Sequence, residues 1–347
     1  MKHKPGLLVR LFSLSALALV VGVALGLVLL VQAARPSDRL PADGLLFTVK
    51  AGEGAGSLAT RLESAGVIRS ALAFRLFAKV SGQEGGLDAG TYRFERGMGT
   101  REVLGAIAEG RQALVRLTVP EGATLSETAA LLEEGGVAEA KAFLAAARDP
   151  ALLAELGVAG ASLEGYLFPD TYFFPRDFGA APAARAMLKT FRARLATIPE
   201  AGALAPEELR AKIVLASVIE REYRVAEEAP LMASVFYNRL RIGMALQSCA
   251  TVVYVITEKQ GKPHPERLFD RDIAIPDAYN TYVNRGLPPG PISNPGMTAI
   301  KAAFYPASSR YLYFRLVDEA AGRHHFSESL EEHVGARNLF VKRAGGK

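Results

Sequence analysis

"IVLASVIEREY", Ile213 to Tyr223, is apolar for most of its length and then breaks into Glu220, Arg221 and Glu222. With "PEELRAK" before it, the stretch reads as one helix. At about 100° per residue Leu209, Ile213, Ala216, Glu220 and Tyr223 fall on one face. Glu222 points away from that face and shares its side with Glu208. The projection therefore expects Glu222 to surface and Glu220 to stay against the core. A carboxyl desolvated in this way is pushed up in pKa and can stay protonated near neutral pH, as a general acid must. The plainer alternative is that the helix simply ends here and both acids are solvated.

On the C-terminal side, "ASVFYNRLRIGM" reads as a second helix ending at Gly243, and "LQSCATVVYV" begins polar and turns apolar. A proline-rich loop follows, "IPDAYNTYVNRGLPPGPISNPG". Its Asn280, Thr281, Tyr282 and Asn294 are uncharged hydrogen-bonding groups that suit a polymer rich in hydroxyls and amides. Singly, each reads equally as a satisfied loop residue. On the N-terminal side, Ala140 to Leu156 is rich in alanine and leucine, hence helical. "LEGYLFPDTYFFP" (163–175) is aromatic and proline-bounded. It fits either the lining of a sugar cleft or a buried connection.

Further back, "LFTVK" reads as a strand, followed by a glycine-rich turn and a helix capped by Ser57. No Lys-Ser/Thr pair follows the glycines, so they are no phosphate loop. The design returns in "LTVPEGATLSETAALLEEGGV", where Thr48/Thr118, Gly52/Gly122, Leu62/Leu132 and Val67/Val137 match at one offset. Between the two lie an alternating strand, Thr91 to Phe94, and a helix with Thr100 as N-cap. Strand–turn–helix units before a larger domain suggest a positioning module; chance recurrence is the alternative.

From Leu11 to Ala34 there is no charge, and a run of about 24 residues in helical rise spans roughly 36 Å, enough for a hydrocarbon core. Lys2, Lys4 and Arg10 precede it, whereas Arg35 and Arg39 are accompanied by Asp38 and Asp43. That asymmetry favours a cytoplasmic N-terminus and an exported body. A cleaved signal peptide is the competing reading, but the run exceeds the usual apolar region of one. A single cysteine, Cys249, excludes an intramolecular disulfide. The five histidines have no zinc-site spacing, so neither a metal nor another cofactor is expected. The net charge of +5 suits anionic lipid or wall polymer, and nucleic acid fits poorly once the body is exported. A Gly-x-Ser-x-Gly motif is absent, and Ser217 and Ser234 fall inside the expected helices.

"LASVIERE", "VFYNRLRIGMALQS", "YNTYVNRGLPPGPISNPG", "IKAAFYP" and "YLYF" resemble, in order and spacing, the endolytic murein transglycosylases, the MltG or YceG-like family. "EGYLFPDTY" resembles that family's aromatic-proline segment, and the repeated region looks like its LysM-like module. The resemblance implies cleavage of the MurNAc–GlcNAc β-1,4 bond inside nascent glycan strands, leaving 1,6-anhydro-MurNAc ends without consuming water. It places the catalytic glutamate at Glu220, the acid that the projection also favours. The glycan would be positioned by Gln247, Tyr279, Asn280, Tyr282 and Asn294. One departure stands out: after Leu-Gln-Ser many members carry Asp-Pro, and here Cys249 and Ala250 stand instead. A chain that binds peptidoglycan without cutting it is the alternative that this departure favours.

The expected architecture is α+β, with one transmembrane helix, a LysM-like module and a mixed catalytic domain. The boundaries are a cytoplasmic stub at 1–10, a membrane helix at 11–34, a linker at 35–45, the module at 46–116 and the catalytic domain at 117–345. The expected partners are peptidoglycan glycan strands, the cytoplasmic membrane, and peptidoglycan synthases or division proteins. The expected location is the cytoplasmic (inner) membrane, with the body outside the cytoplasm.

Overall fold

The computed structural model of the protein describes residues 7–336. Helix α1 (Leu7–Ala33) takes in the uncharged run. Its side chains up to Ser15, and that of Ala18, lie outside the description; Leu17, Leu19, Val23 and Leu29 are exposed. Among the described residues no helix is long and apolar enough to cross a membrane, and the first side chains of the span expected over 11–34 lie outside the description. The described chain divides into two compact units. One runs to Leu114 and adds Pro175–Asp177; the other is the remainder from Val115.

The first unit continues with β1 (Leu45–Val49), α2 (Ala55–Ser64), α3 (Ala71–Val80), β2 (Gly90–Phe94) and α4 (Thr100–Ala108). Strands β1 and β2 are antiparallel, with Leu45 opposite Phe94 and Val49 opposite Gly90. Phe47, Leu58, Leu62, Phe74, Tyr92, Phe94, Val103 and Ile107 close its core. Both expected caps are displaced. Gly54 occupies the N-cap of α2, and Ser57 sits inside the helix with its hydroxyl on Glu53. Gly99 precedes α4, its N–H satisfied by Glu102, while the buried Thr100 hydroxyl has no partner.

The second unit is built from β3 (Leu114–Thr118), α5 (Leu125–Glu134), α6 (Ala140–Ala146), α7 (Pro150–Glu155), β4 (Thr171–Pro175), α8 (Ala180–Leu195), α9 (Pro206–Glu220) and α10 (Ala229–Arg241). It ends with α11 (Cys249–Tyr254), α12 (Asp270–Ile273), α13 (Met297–Phe304), the hairpin β5 (Tyr313–Asp318) and β6 (Arg323–Ser327), and α14 (Leu330–Gly335). The single helix expected over 140–156 is two, because Asp149 caps the N–H of Ala151 and Pro150 starts a new first turn. The sequence recurrence is a structural one. Thr48 and Thr91 join hydroxyls at 2.9 Å across β1 and β2, and Thr118 and Thr171 do so at 3.0 Å across β3 and β4. In both units a glycine in the left-handed region, Gly52 or Gly122, turns the chain from strand to helix. The aromatic segment resolves as a buried connection: Tyr166, Phe168, Tyr172 and Phe174 lie in the core, and only Phe173 of its rings is exposed.

Helix α9 runs through the centre of this unit. Every residue from Ile213 to Ile219 is buried, so the helix is apolar all round and has no solvent face there. A polar clip crosses its middle. The Ser217 hydroxyl donates to Val214 O and accepts from Ile292 N at 3.0 Å, and the Ser293 hydroxyl donates to Ser217 O. The adjoining Asn294 is fully buried. Its Oδ1 accepts from Gly165 N and Leu167 N, and its Nδ2 donates to Ala123 O, so one amide ties three segments together. Replacing it strands two buried N–H donors, each worth roughly 1–3 kcal/mol. Asn294→Ala is therefore expected to lower the unfolding free energy by about 2–5 kcal/mol, read by urea denaturation of the full chain in detergent. A loss below about 1 kcal/mol would show that the clip does not support the fold.

Candidate functional site

Three carboxyls of the second unit are pushed up by burial, and their surroundings separate them. Glu164 is 3% exposed and rises to about 8, yet both its oxygens accept the Leu125 N–H at the start of α5. Its carboxylate is taken up in capping α5. Glu222 is raised by desolvation, and the bonds it accepts from Ser248 Oγ and Ala250 N–H act against that rise. It thereby satisfies the N-terminus of α11. Glu220, the last residue of α9, is half-buried and rises to about 7, chiefly through desolvation and further through the charge of Glu121. Gly296 N–H, donating to Oε2 at 2.9 Å, Tyr223 OH, 3.4 Å from Oε1, and Arg221 pull the other way. Desolvation wins, and the result is a carboxyl at the edge of the core that titrates near neutrality.

The expectation that Glu222 surfaces is corrected. Helix α9 stops at Glu220, with Arg221 as its C-cap, so the helical projection does not extend to Glu222. The same central burial removes the stripe on which the projection relied, although Glu220 does stay against the core.

Gly296 matters through what it lacks. A Cβ there would fall on the Glu121 carboxyl, so a larger residue at 296 would push that exposed side chain away from the backbone that bonds Glu220. On the other side, a Cβ at Gly122 would lie 3.6 Å from the Glu220 Cγ, and Arg221 Nη1 bonds Gly122 O at 3.0 Å.

The expected glycan-positioning residues are not gathered in one place. Gln247 and Tyr282 line a cavity of about 270 Å³ with Glu222, Arg239, Cys249 and His333. Gln247 is exposed and adopts φ +49, a left-handed conformation uncommon outside glycine. Tyr279 is elsewhere, its ring tilted against Tyr254 and covered by the Lys259 ammonium. Asn280 and Asn294 are fully buried. Asn280 spends its amide on Ile273 O, Ile275 O and Tyr282 N, so both asparagines shape loops and present no group to a ligand. Cys249 begins α11 with its sulfur 3.1 Å from Tyr282 OH, and desolvation pushes the thiol up, the opposite of an activated nucleophile. Among the described residues no group of three metal-ligating side chains comes together. Tyr223, which the projection set on the same face as Glu220, does reach it, whereas Glu121, Gly296 and the Ser217–Ser293 clip were missed from sequence, because each acts through contacts with distant segments. The one available signal was that "VPEG" lies in the repeated unit while its counterpart "VKAG" has alanine at the matching position.

Residues 47–338 match the sequence model of the YceG-like family. The endolytic murein transglycosylase of Bacillus subtilis (strain 168) is 31% identical over 311 residues, covering 85% of this chain and 84% of that protein. That of Streptococcus pneumoniae serotype 2 (strain D39) is 32% identical over 314 residues, covering 81% of this chain and 56% of its own length. The crystal structure of a yceG-like protein from Listeria monocytogenes superposes with a TM-score of 0.57 at 31% identity, over 85% of this chain and 99% of that one. A match that takes in the repeated strand–helix region, the buried α9 and the loop that bonds Glu220 leaves one assignment: the chain belongs to the YceG-like family.

Proposed function

We propose that this protein is an endolytic lytic transglycosylase of peptidoglycan, with Glu220 as its acid and base. The observation that carries the reading is a carboxyl raised to about 7 at the core's edge, on a chain whose relatives are named endolytic murein transglycosylases. Glycosidases that use water employ two carboxylates at set separations. A transglycosylase can work with one, because the nucleophile belongs to the substrate. Protonated Glu220 gives its proton to the glycosidic oxygen as the bond to C1 breaks and an oxocarbenium-like state forms. The C6 hydroxyl then closes on C1, and its proton returns to the Glu220 carboxylate. Closure within one sugar has a high effective concentration, so no water is required. An acid that must give and regain a proton in one turnover works best with a pKa near the working pH.

Gln247 and Tyr282 are the expected glycan contacts that remain, since they line an open cavity. The repeated strand–helix region up to 116 would act as a LysM-like positioning module, and α1 as a retained anchor that keeps the body outside the cytoplasmic membrane. The uncharged run Leu11–Ala34 and the denser positive charge before it support the anchor. In that place the enzyme would meet strands as they are made and act as a terminator of their elongation, beside synthases or division proteins.

Glu220→Gln preserves shape and can still accept the Gly296 N–H, but cannot deliver a proton. It is expected to lose at least ~10²-fold in rate on glycan strands. Mass spectrometry of the parent digest should show anhydro-MurNAc ends; reducing ends would mean that water is the acceptor. Because Glu220 must be protonated to act, kcat/KM should fall as pH rises through about 7. The stability effect has a definite sign. A carboxyl whose folded pKa is raised destabilises the fold as pH climbs from its ordinary range through about 7. Glu220→Gln should therefore melt higher than the parent at pH 8, and the difference should vanish below about pH 4.

Glu222→Gln keeps an acceptor for Ser248 and is expected to stay within a few-fold of the parent rate. Glu222→Ala should instead cost about 0.5–2 kcal/mol of stability through the lost cap of α11. A Glu222→Gln variant as slow as Glu220→Gln would move the acid. For the anchor, N-terminal sequencing of the membrane-associated protein is expected to begin at the start of the chain; a start near Ala34 would identify a cleaved leader.

A further inference from the structure

Glu121 has no role in the reaction as written above. It is exposed, and its carboxyl lies over Gly296, where a Cβ would collide with it. The same Gly296 donates its N–H to Glu220 Oε2 at 2.9 Å. Two carboxyls thus meet on one glycine, one half-buried and one in solvent. The loop that carries Glu121 is pinned on both sides. Gly122 N donates to Asn294 O at 2.9 Å, Asn294 N donates to Ala123 O at 2.9 Å, and Arg221 bonds Gly122 O. Glu121, Gly122 and Arg221 also border an open recess of about 470 Å³ that runs along α5 past Glu127 and Glu134 and adjoins, without including, Glu220.

We propose that Glu121 is a second carboxylate of the reaction centre, placed to face the positive charge that develops on the sugar as Glu220 gives up its proton. This rests on the transglycosylase reading above. The balance is simple. The C1–O bond breaks as its oxygen takes the Glu220 proton. The electron pair leaves with that oxygen, and the ring carries the positive charge. The C6 oxygen then bonds C1 and releases its proton to Glu220. Glu121 forms no bond and exchanges no proton; its charge offsets the cation while it exists, in a site whose groups are already oriented. The titratable and charged groups facing Glu220 are Glu121 from the 120–122 loop, and Arg221 and Tyr223 beyond α9. Desolvation first, and the Glu121 charge after it, favour the protonated form of Glu220.

The test uses the full chain in detergent on purified glycan strands, with Glu121→Gln, Glu121→Asp and Glu220→Gln compared across pH. Glu121→Gln is expected to lower kcat at least ~10-fold with little change in KM. It should also move the alkaline limb of the rate profile to lower pH, because a neighbouring negative charge has gone. Glu121→Asp should recover part of both. Parent kcat with an unmoved limb overturns the proposal. So does a slow Glu121→Gln whose limb stays in place and which Glu121→Asp does not rescue, because the residue would then only support the loop. The two readings fail separately. An active Glu220→Gln removes the acid assignment itself, while an inactive Glu220→Gln beside an unaffected Glu121→Gln removes only the second carboxylate.

Discussion

The bond from Gly296 N to Glu220 Oε2 is the contact on which the site depends, and neither partner could make it alone. Glu220 sits at the end of a helix buried on every side, and Gly296 sits at the end of a loop rich in proline and glycine. Such a loop has little repeating backbone hydrogen bonding to fix it. What fixes it is the clip across α9, where Ser217 accepts from Ile292 and Ser293 bonds back to Ser217. Because the clip lies in the core, its bonds have no competing water, and failure to make them would leave buried groups unsatisfied. The loop is therefore held in register with the last turn of α9. Asn294 extends the same arrangement to Gly165, Leu167 and Ala123, so that the loop carrying Glu121 is set by the residue next to the clip.

Rigidity matters here because the acid's protonation state is a difference between opposing effects. Desolvation raises Glu220, and the Gly296 N–H, Tyr223 and Arg221 lower it. If the loop drifted outward, the bond from Gly296 would be lost, but water would enter and the larger effect would vanish too. The carboxyl would then return towards its ordinary range and be ionised at neutral pH. Holding a proton at about 7 thus requires that the loop remain closed over the helix end. Part of the molecule's stability is spent on that: at neutral and higher pH the ionised acid is worse solvated in the fold than in the unfolded chain.

Much of this was legible in sequence where the signal is local. The strands and helices of the repeat, the helix ending before Gly243 and the proline-rich loop are all present, because periodicity and turn residues specify them within a few positions. Asp149-Pro150 split a helix that composition alone made continuous, a boundary signal outweighed by alanine content. The asparagines were misread for a physical reason: an amide that can bind a sugar can equally satisfy buried backbone, and only burial tells the two apart. Glu222 illustrates the limit of projection. Helical angles carry no meaning past the residue where the helix ends, and α9 ends at Glu220 itself. Glu220 was selected by a face that does not exist as a face, yet its expected place against the apolar core is where the structure has it.

Cys249 tests how far the site tolerates change. It stands at the first position of α11, where a helix N-terminus favours an acid. Glu222 already serves that terminus through Ser248 and Ala250, so a second carboxylate at position 249 would be set beside one that burial has already raised. A neutral thiol, bonded to Tyr282, avoids that repulsion and leaves the cap intact. None of the groups that set the protonation of Glu220 is Cys249: they are Gly296, Tyr223, Arg221 and Glu121. The substitution therefore changes the wall of the cavity that also holds Gln247 and Tyr282, and leaves the acid's own surroundings as they are.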